Sequence, residues 1–296
     1  MSKIELHADD FAVSAHASKD IIALLKEDVL DSISIIPNMK CFEETMELLR
    51  DADLMKVPAS VHLNFMEGKS CAALEDVPLL VDENGFFKVT WFSLFFDSFK
   101  PDRRRALTLQ LACEIESQIR KIQTAMQGEY QLRIDSHQHT HMIPVVRDAL
   151  LLAIDRMGED VTFVRLAKEP LVPFLKHSEL YREYSVVNLI KNVLLWALAF
   201  PMEKQLKKRN IPYSYLFGLM LSGNMNAACV EQLYLDMAAS ADKKEQDLEI
   251  LFHPGSVLES EISEENVQHS FIEFHLSSSR KSEYEAATVL DKLRKR

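Results

Sequence analysis

What most constrains this chain is a recurring local pattern, in which short apolar, β-prone runs end abruptly in an acid, an amide, an arginine or a histidine. Lys3-Ile4-Glu5-Leu6-His7-Ala8 ends in Asp9-Asp10, Ser32-Ile33-Ser34-Ile35-Ile36-Pro37 delivers Asn38, and Pro58-Ala59-Ser60-Val61 runs into His62-Leu63-Asn64. Val161-Thr162-Phe163-Val164 delivers Arg165, and Leu248-Glu249-Ile250-Leu251-Phe252 ends at His253-Pro254-Gly255. The most concentrated example is Arg133-Ile134-Asp135-Ser136-His137-Gln138-His139-Thr140-His141, an apolar run that opens into a carboxylate and three imidazoles spaced two apart. Between these runs lie helical patterns over Ala17 to Leu30, Cys41 to Asp51, Arg103 to Met126 and Val145 to Met157. Strands alternating with helices build βα units around a parallel sheet.

A further strand over Pro212 to Gly218 brings the count to about seven, and a last helix is expected over Ser278 to Lys295. Seven strands in series suit a TIM-like, incomplete or distorted (β/α) barrel better than an open doubly wound sheet, and the carboxyl ends of such strands surround one pocket. The polar residues at the run ends are therefore expected to converge. With 47% hydrophobic residues over 296 positions there is material for a sizeable core. No repeat is evident and the 7 glycines leave little scope for a linker, so residues 1–296 are read as a single domain. Segments near 67–100 and 169–211 break the βα rhythm and are expected to be inserted at the pocket rim.

The net charge of −11 argues against nucleic acid or an anionic membrane as partner. A neutral or cationic small molecule fits better. Cys41, Cys71, Cys113 and Cys229 show neither thiolate-metal spacing nor a disulfide framework, and a strand opens almost at once, so a cytoplasmic protein is expected. Val186 to Phe200 is apolar but carries Asn188, Lys191 and Asn192. It reads as a buried helix or as a homodimer contact rather than a membrane span.

If the fourth strand continues, its alternation puts Asp135, His137, His139 and His141 on one face, where several could reach one ion. A histidine-rich turn can also be merely polar. Asp9 and Asp10 suit metal-assisted hydrolysis, one carboxylate on a cation and the other free as a general base. The same pair could instead cap the helix that opens near Ser14. His62 and His253 each have a structural alternative, as a hydrogen-bonded core histidine and as a polar residue at a turn.

Taken in order, these segments resemble the YdjC-like family of carbohydrate deacetylases, which includes chitooligosaccharide deacetylases. Ala8-Asp9-Asp10-Phe11 resembles the family's opening Ala-Asp-Asp-Phe-Gly, Val61-His62-Leu63-Asn64 its His-Leu-Asn motif, and Glu114 to Gln118 the helix ahead of its histidine strand. Ile134 to His139 is similar to its Asp-Gly-His-Gln-His motif and His253-Pro254-Gly255 to its late His-Pro-Gly. Ala12, Ser60 and Ser136 stand where the family usually has glycine.

The resemblance implies a divalent metal ion, Mg2+ or Zn2+, held by Asp10, His62 and His137, with Asp9 as general base and His253 as proton donor or transition-state contact. Asp135, His139, His141 and Arg165 would orient the ligands or contact substrate. It further implies hydrolysis of N-acetyl groups from acetylated sugars, N-acetylglucosamine oligosaccharides foremost. A phosphoesterase would want more cationic groups than Arg165 supplies. An inactive sugar-binding relative would be expected to have lost one of these residues.

Overall fold

The computed structural model describes residues 2–126, 130–263 and 269–295. The first half runs β1 (Ile4–Phe11), α1 (Ala15–Lys26), β2 (Ser32–Ile35), α2 (Phe42–Asp51), β3 (Ala59–Leu63), α3 (Trp91–Asp97) and α4 (Pro101–Met126). There follow β4 (Leu132–Ser136), α5 (Pro144–Met157), β5 (Val161–Val164), α6 (Val172–Lys176) and α7 (Val186–Arg209). The chain continues through β6 (Tyr215–Phe217), α8 (Ala227–Asp242), β7 (Leu248–Phe252), α9 (His269–His275) and α10 (Ser279–Arg294).

The strands form one seven-stranded sheet in the order β5-β4-β3-β2-β1-β7-β6, and every pairing is parallel. Curling brings the edges together without a full ladder. Two backbone hydrogen bonds, Val164 N–H to Pro212 O at 3.0 Å and Leu216 N–H to Lys168 O at 3.1 Å, tie the flanks of β5 and β6. This is the incomplete (β/α) barrel expected from the sequence.

Alternation along the strands sorts side chains between helices and barrel interior. Leu6, Ile33, Val61, Ile134 and Ile250 are fully buried in the apolar core. Burying each contributes roughly 1.5–3 kcal/mol. Their neighbours are polar. Arg133 pairs with Glu5 and Asp135 accepts from Ser34, while Arg165 reaches both Asp9 and Glu249. These contacts join strands that are not neighbours in the sheet, so the side chains meet inside the barrel. Its interior is thus a buried ionic network, in which removing one partner strands the other and costs about 3–5 kcal/mol.

The two segments expected to be insertions carry their own structure. Residues 67–100 hold the bridges Lys69↔Phe86 and Val81↔Phe87, the turn closed by Gly85 N–H to Asp82 O at 3.2 Å, and α3. Residues 169–211 hold α6 and α7. The helix that holds the apolar stretch Val186 to Phe200 continues through the polar Pro201 to Arg209, because Met202 and Leu206 keep burying the inner face. At 24 residues α7 is long and apolar enough to cross a membrane by length and composition.

Candidate metal centre

Two departures from regular backbone assemble the pocket. In β1, Asp10 takes a left-handed conformation (φ 64°) and the register against β2 shifts between Ala8 and Phe11. The alternation that would separate Asp9 from Asp10 is thereby broken, and both carboxylates lie within 4 Å of His62. Capping α1 is not their task, since the Ser14 side chain accepts from Ala17 N–H at 3.0 Å. Ala12 is also left-handed (φ 74°), a strain of order 1–3 kcal/mol where the family usually has glycine.

The second departure corrects an expectation. Strand β4 ends at Ser136, and His137–Met142 forms a 3-10 turn in which Gln138 and His139 are left-handed (φ 54° and 53°). The three histidines therefore do not share a strand face. His137 turns toward Asp10, whereas His141 is bound by Ser136 Oγ at 2.5 Å and by the Arg165 carbonyl at 2.8 Å. His141 locks the turn. His139 has a buried Nδ1 with no hydrogen-bond partner among the described residues.

Asp10, His62 and His137 each offer a ligand atom within 4.8 Å of the others, and all three are buried. Asp10 Oδ1 lies 3.7 Å from His62 Nε2 and 3.2 Å from His137 Nδ1. Each imidazole is held from behind by a carboxylate. His62 Nδ1 meets Asp135 Oδ1 at 2.7 Å, and His137 Nε2 faces Glu67 Oε1 at 3.2 Å. Carboxylates behind histidines fix ring orientation and raise ligand basicity in metal sites. The donor set therefore fits a divalent ion. Two other groups, Glu5-His7-Glu249 and His7-Asp9-Asp135, fit less well, because both ring nitrogens of His7 are already taken by the hydroxyls of Ser32 and Ser34, each at 2.6 Å.

The electrostatics point the same way. Burial opposes charge on Asp10, yet His137 and Arg280 hold it well below the usual carboxylate range. Asp135 stays at about 2 against the same burial because Arg165 and His62 attract its charged form. Burial also works against the imidazolium of His137, but Asp10 and Glu67 outweigh it and lift the ring to about 10. A proton there stands in for the positive charge that the surrounding carboxylates call for. Burial takes His141 down to about 4, and burial with the Arg165 charge keeps His139 neutral.

Asp9 lies beside this cluster, 3.8 Å from His62 Nε2, and is gripped through both oxygens by Arg165 at 2.8 and 2.9 Å. Arg165 overcomes burial and keeps Asp9 ionised. His253 comes in after β7, where Gly255 (φ +93°) lies so close to α1 that a Cβ would stand 2.6 Å from Ala17 O. Its ring is 3.4 Å from Glu283 and, despite burial, stays above the ordinary imidazole value because of that carboxylate.

Several residues escaped sequence reasoning. Arg280 donates to Asp10 Oδ2 at 3.0 Å and to Gly255 O at 2.7 Å, and Glu283 accepts from the His253 backbone at 2.5 Å. Both sit on α10, whose charge pattern looks like a solvated face. His275 contacts Glu67 at 3.0 Å, and Phe271 packs edge-on against His137. Only Glu67 had a signal, three residues beyond the His-Leu-Asn motif.

Fold and site together define a parallel (β/α) barrel with a histidine–carboxylate centre at the carboxyl ends of its strands. The chain belongs to the YdjC-like protein family, whose sequence model matches residues 3–291. It is 29% identical over 175 residues to a carbohydrate deacetylase of Thermoanaerobacter pseudethanolicus, a match covering 58% of this chain and 64% of that protein. It is 27% identical over 172 residues to the human carbohydrate deacetylase, covering 56% and 49%. The chain thus spans about half to two thirds of the length of these relatives. A solved Enterococcus faecalis V583 structure, named as a candidate cellobiose-phosphate cleavage protein, superimposes with a TM-score of 0.65 at 20% identity, covering 99% of this chain and 94% of that one. That likeness bears on the fold alone.

Proposed function

We propose that this protein is a divalent-metal-dependent hydrolase that removes N-acetyl groups from acetylated carbohydrates, with N-acetylglucosamine oligosaccharides as its leading substrates. The observation that carries the reading is a second carboxylate, Asp9, held ionised by Arg165 beside the Asp10-His62-His137 cluster. Relatives named carbohydrate deacetylase support the substrate class.

Asp10, His62 and His137 would hold the ion, and two nitrogen donors favour Zn2+ over Mg2+. When bound, the ion supplies Lewis acidity, which polarises the acetyl carbonyl and makes a nearby water more acidic. Asp9 takes the proton from that water as its oxygen joins the carbonyl carbon. Arg165 aims Asp9 through both oxygens, and Asp135 and Glu67 keep the ligand rings in place. His253, whose protonated form Glu283 favours, donates to the sugar nitrogen as the C–N bond breaks. The products are acetate and a free amino sugar. His139 and the inserted segments 67–100 and 169–211 would contact substrate around one barrel domain spanning residues 1–296. A cytoplasmic setting agrees with Cys41, Cys71, Cys113 and Cys229 forming no disulfide with one another.

The test is acetate release from N-acetylglucosamine mono- and oligosaccharides, with and without added divalent metal, for wild type and Asp9→Asn at equal metal content. Metal-dependent release that disappears in Asp9→Asn is the expected result. Equal release from the variant would remove Asp9 from the mechanism, and no release from any acetylated sugar would end the deacetylase reading.

A further inference from the structure

The outer surface of α7 is a large apolar feature that the proposed chemistry leaves unexplained. Val186, Leu189, Ile190, Val193, Trp196 and Phe200 are between 39% and 71% exposed. At 100° per residue they form one stripe about 120° wide, with Val186, Val193 and Phe200 spaced by sevens as in a helix–helix seam. The stripe presents apolar side chain on the order of several hundred Å², at the upper end of what a typical monomer exposes in one patch and approaching the ~800 Å² per partner of a stable interface. It is also stiff. Trp196 and Phe200 meet edge to face at 4.5 Å, and the Lys168 ammonium lies 5.9 and 5.1 Å from their rings.

From this stripe we infer that the chain forms a two-fold symmetric dimer in which α7 packs antiparallel against α7 of a second copy. The size pattern selects that occupant. About a two-fold axis at Val193, the small Val186 falls opposite the large Phe200, and Leu189 and Ile190 fall opposite Ala197 and Trp196. Small meets large at Val186–Phe200 and at Ala197–Leu189, while Ile190 lies against the flat Trp196 ring, so two of the three pairs make the stripe complementary to itself. A membrane is a poorer occupant. The inner face of α7 is committed to the barrel, where Asn188 donates to Ser222 O at 2.9 Å and Asn192 to Glu169. Drawing the helix into a bilayer would break these bonds, and the net charge of −11 disfavours an anionic lipid surface.

Sedimentation velocity on the full chain at tens of micromolar is expected to give twice the 33.9 kDa chain mass. Val193→Glu, which puts two carboxylates at the axis, should weaken association roughly 100-fold or more without changing the circular dichroism spectrum. Oxidised Val193→Cys should link covalently to itself. Val186→Cys should not, while Val186→Cys with Phe200→Cys should. A wild-type monomer, a dimer indifferent to Val193→Glu, or Val186→Cys linking to itself while Val193→Cys does not would each overturn the inference. So would a monomer that co-sediments with phosphatidylcholine–phosphatidylglycerol vesicles. Acetate release plays no part in this test, so its failure and that of the deacetylase reading are separable.

Discussion

Loading the proposed centre with a divalent ion should expel a proton, and the structure says how strongly. His137 sits between Asp10 and Glu67, at 3.2 Å from each, and these carboxylates lift its pKa to about 10. An imidazole nitrogen must be free of its proton to bind a metal. At pH 7 the site is about three pH units below that value, so proton competition weakens binding by roughly 4 kcal/mol. The association constant should therefore rise about tenfold per pH unit between pH 6.5 and 8. Isothermal titration of Zn2+ into metal-free protein, in buffers of different ionisation enthalpy, should count close to one proton released per ion. For the metal-free fold the sign is opposite, because the folded pKa lies above the unfolded one. The stability that His137 contributes is fully present below pH 6.5 and is lost as pH rises toward 10. An affinity flat across this window, with no proton released, would refute the assignment of His137 as a ligand.

Three further outcomes follow from the same geometry. Glu283→Gln removes the carboxylate that favours the protonated form of His253, so the alkaline limb of the kcat profile should move to lower pH; an unmoved limb would exclude His253 as proton donor. Gly255→Ala places a methyl group 2.6 Å from Ala17 O at a left-handed position, and thermal unfolding should register a loss of about 2–4 kcal/mol. Glu5 is held near 2, against burial, mainly by Arg133, and Asp135 is held near 2 by Arg165 and His62. Both folded values lie below the unfolded ones, so this stability is present above about pH 4.5 and is lost toward pH 2. Denaturant unfolding of metal-free protein should show a drop of several kcal/mol between pH 5 and pH 3, and equal stability at both would contradict the buried network.

The strands were legible because alternation and β-branched runs leave a period-two signature, and β5 and β7 begin and end where the residues suggest. The chemical residues were legible for a related reason, since a polar group at the end of an apolar run has few structural explanations. Left-handed positions were not. Asp10, Gln138 and His139 are ordinary residues whose conformation is imposed by tertiary contacts, so the expectation of three histidines on one face failed at Ser136. The contributions of α10 were also hidden, because Arg280 and Glu283 occupy a helix rich in charge, and nothing local distinguishes a side chain turned inward to Asp10 or His253 from one in water.

The pairing of Asp10 with Arg280 spans 270 positions of the chain. During synthesis, β1 emerges with its carboxylates long before the Arg280 guanidinium, so until α10 docks Asp10 has only His137 to balance it. A bond closing so long a loop contributes little to early collapse and much to the final step. Helix α10 thus acts as a late check on the fold, since Asp10 gains its second cationic partner only when β1 and α10 have met.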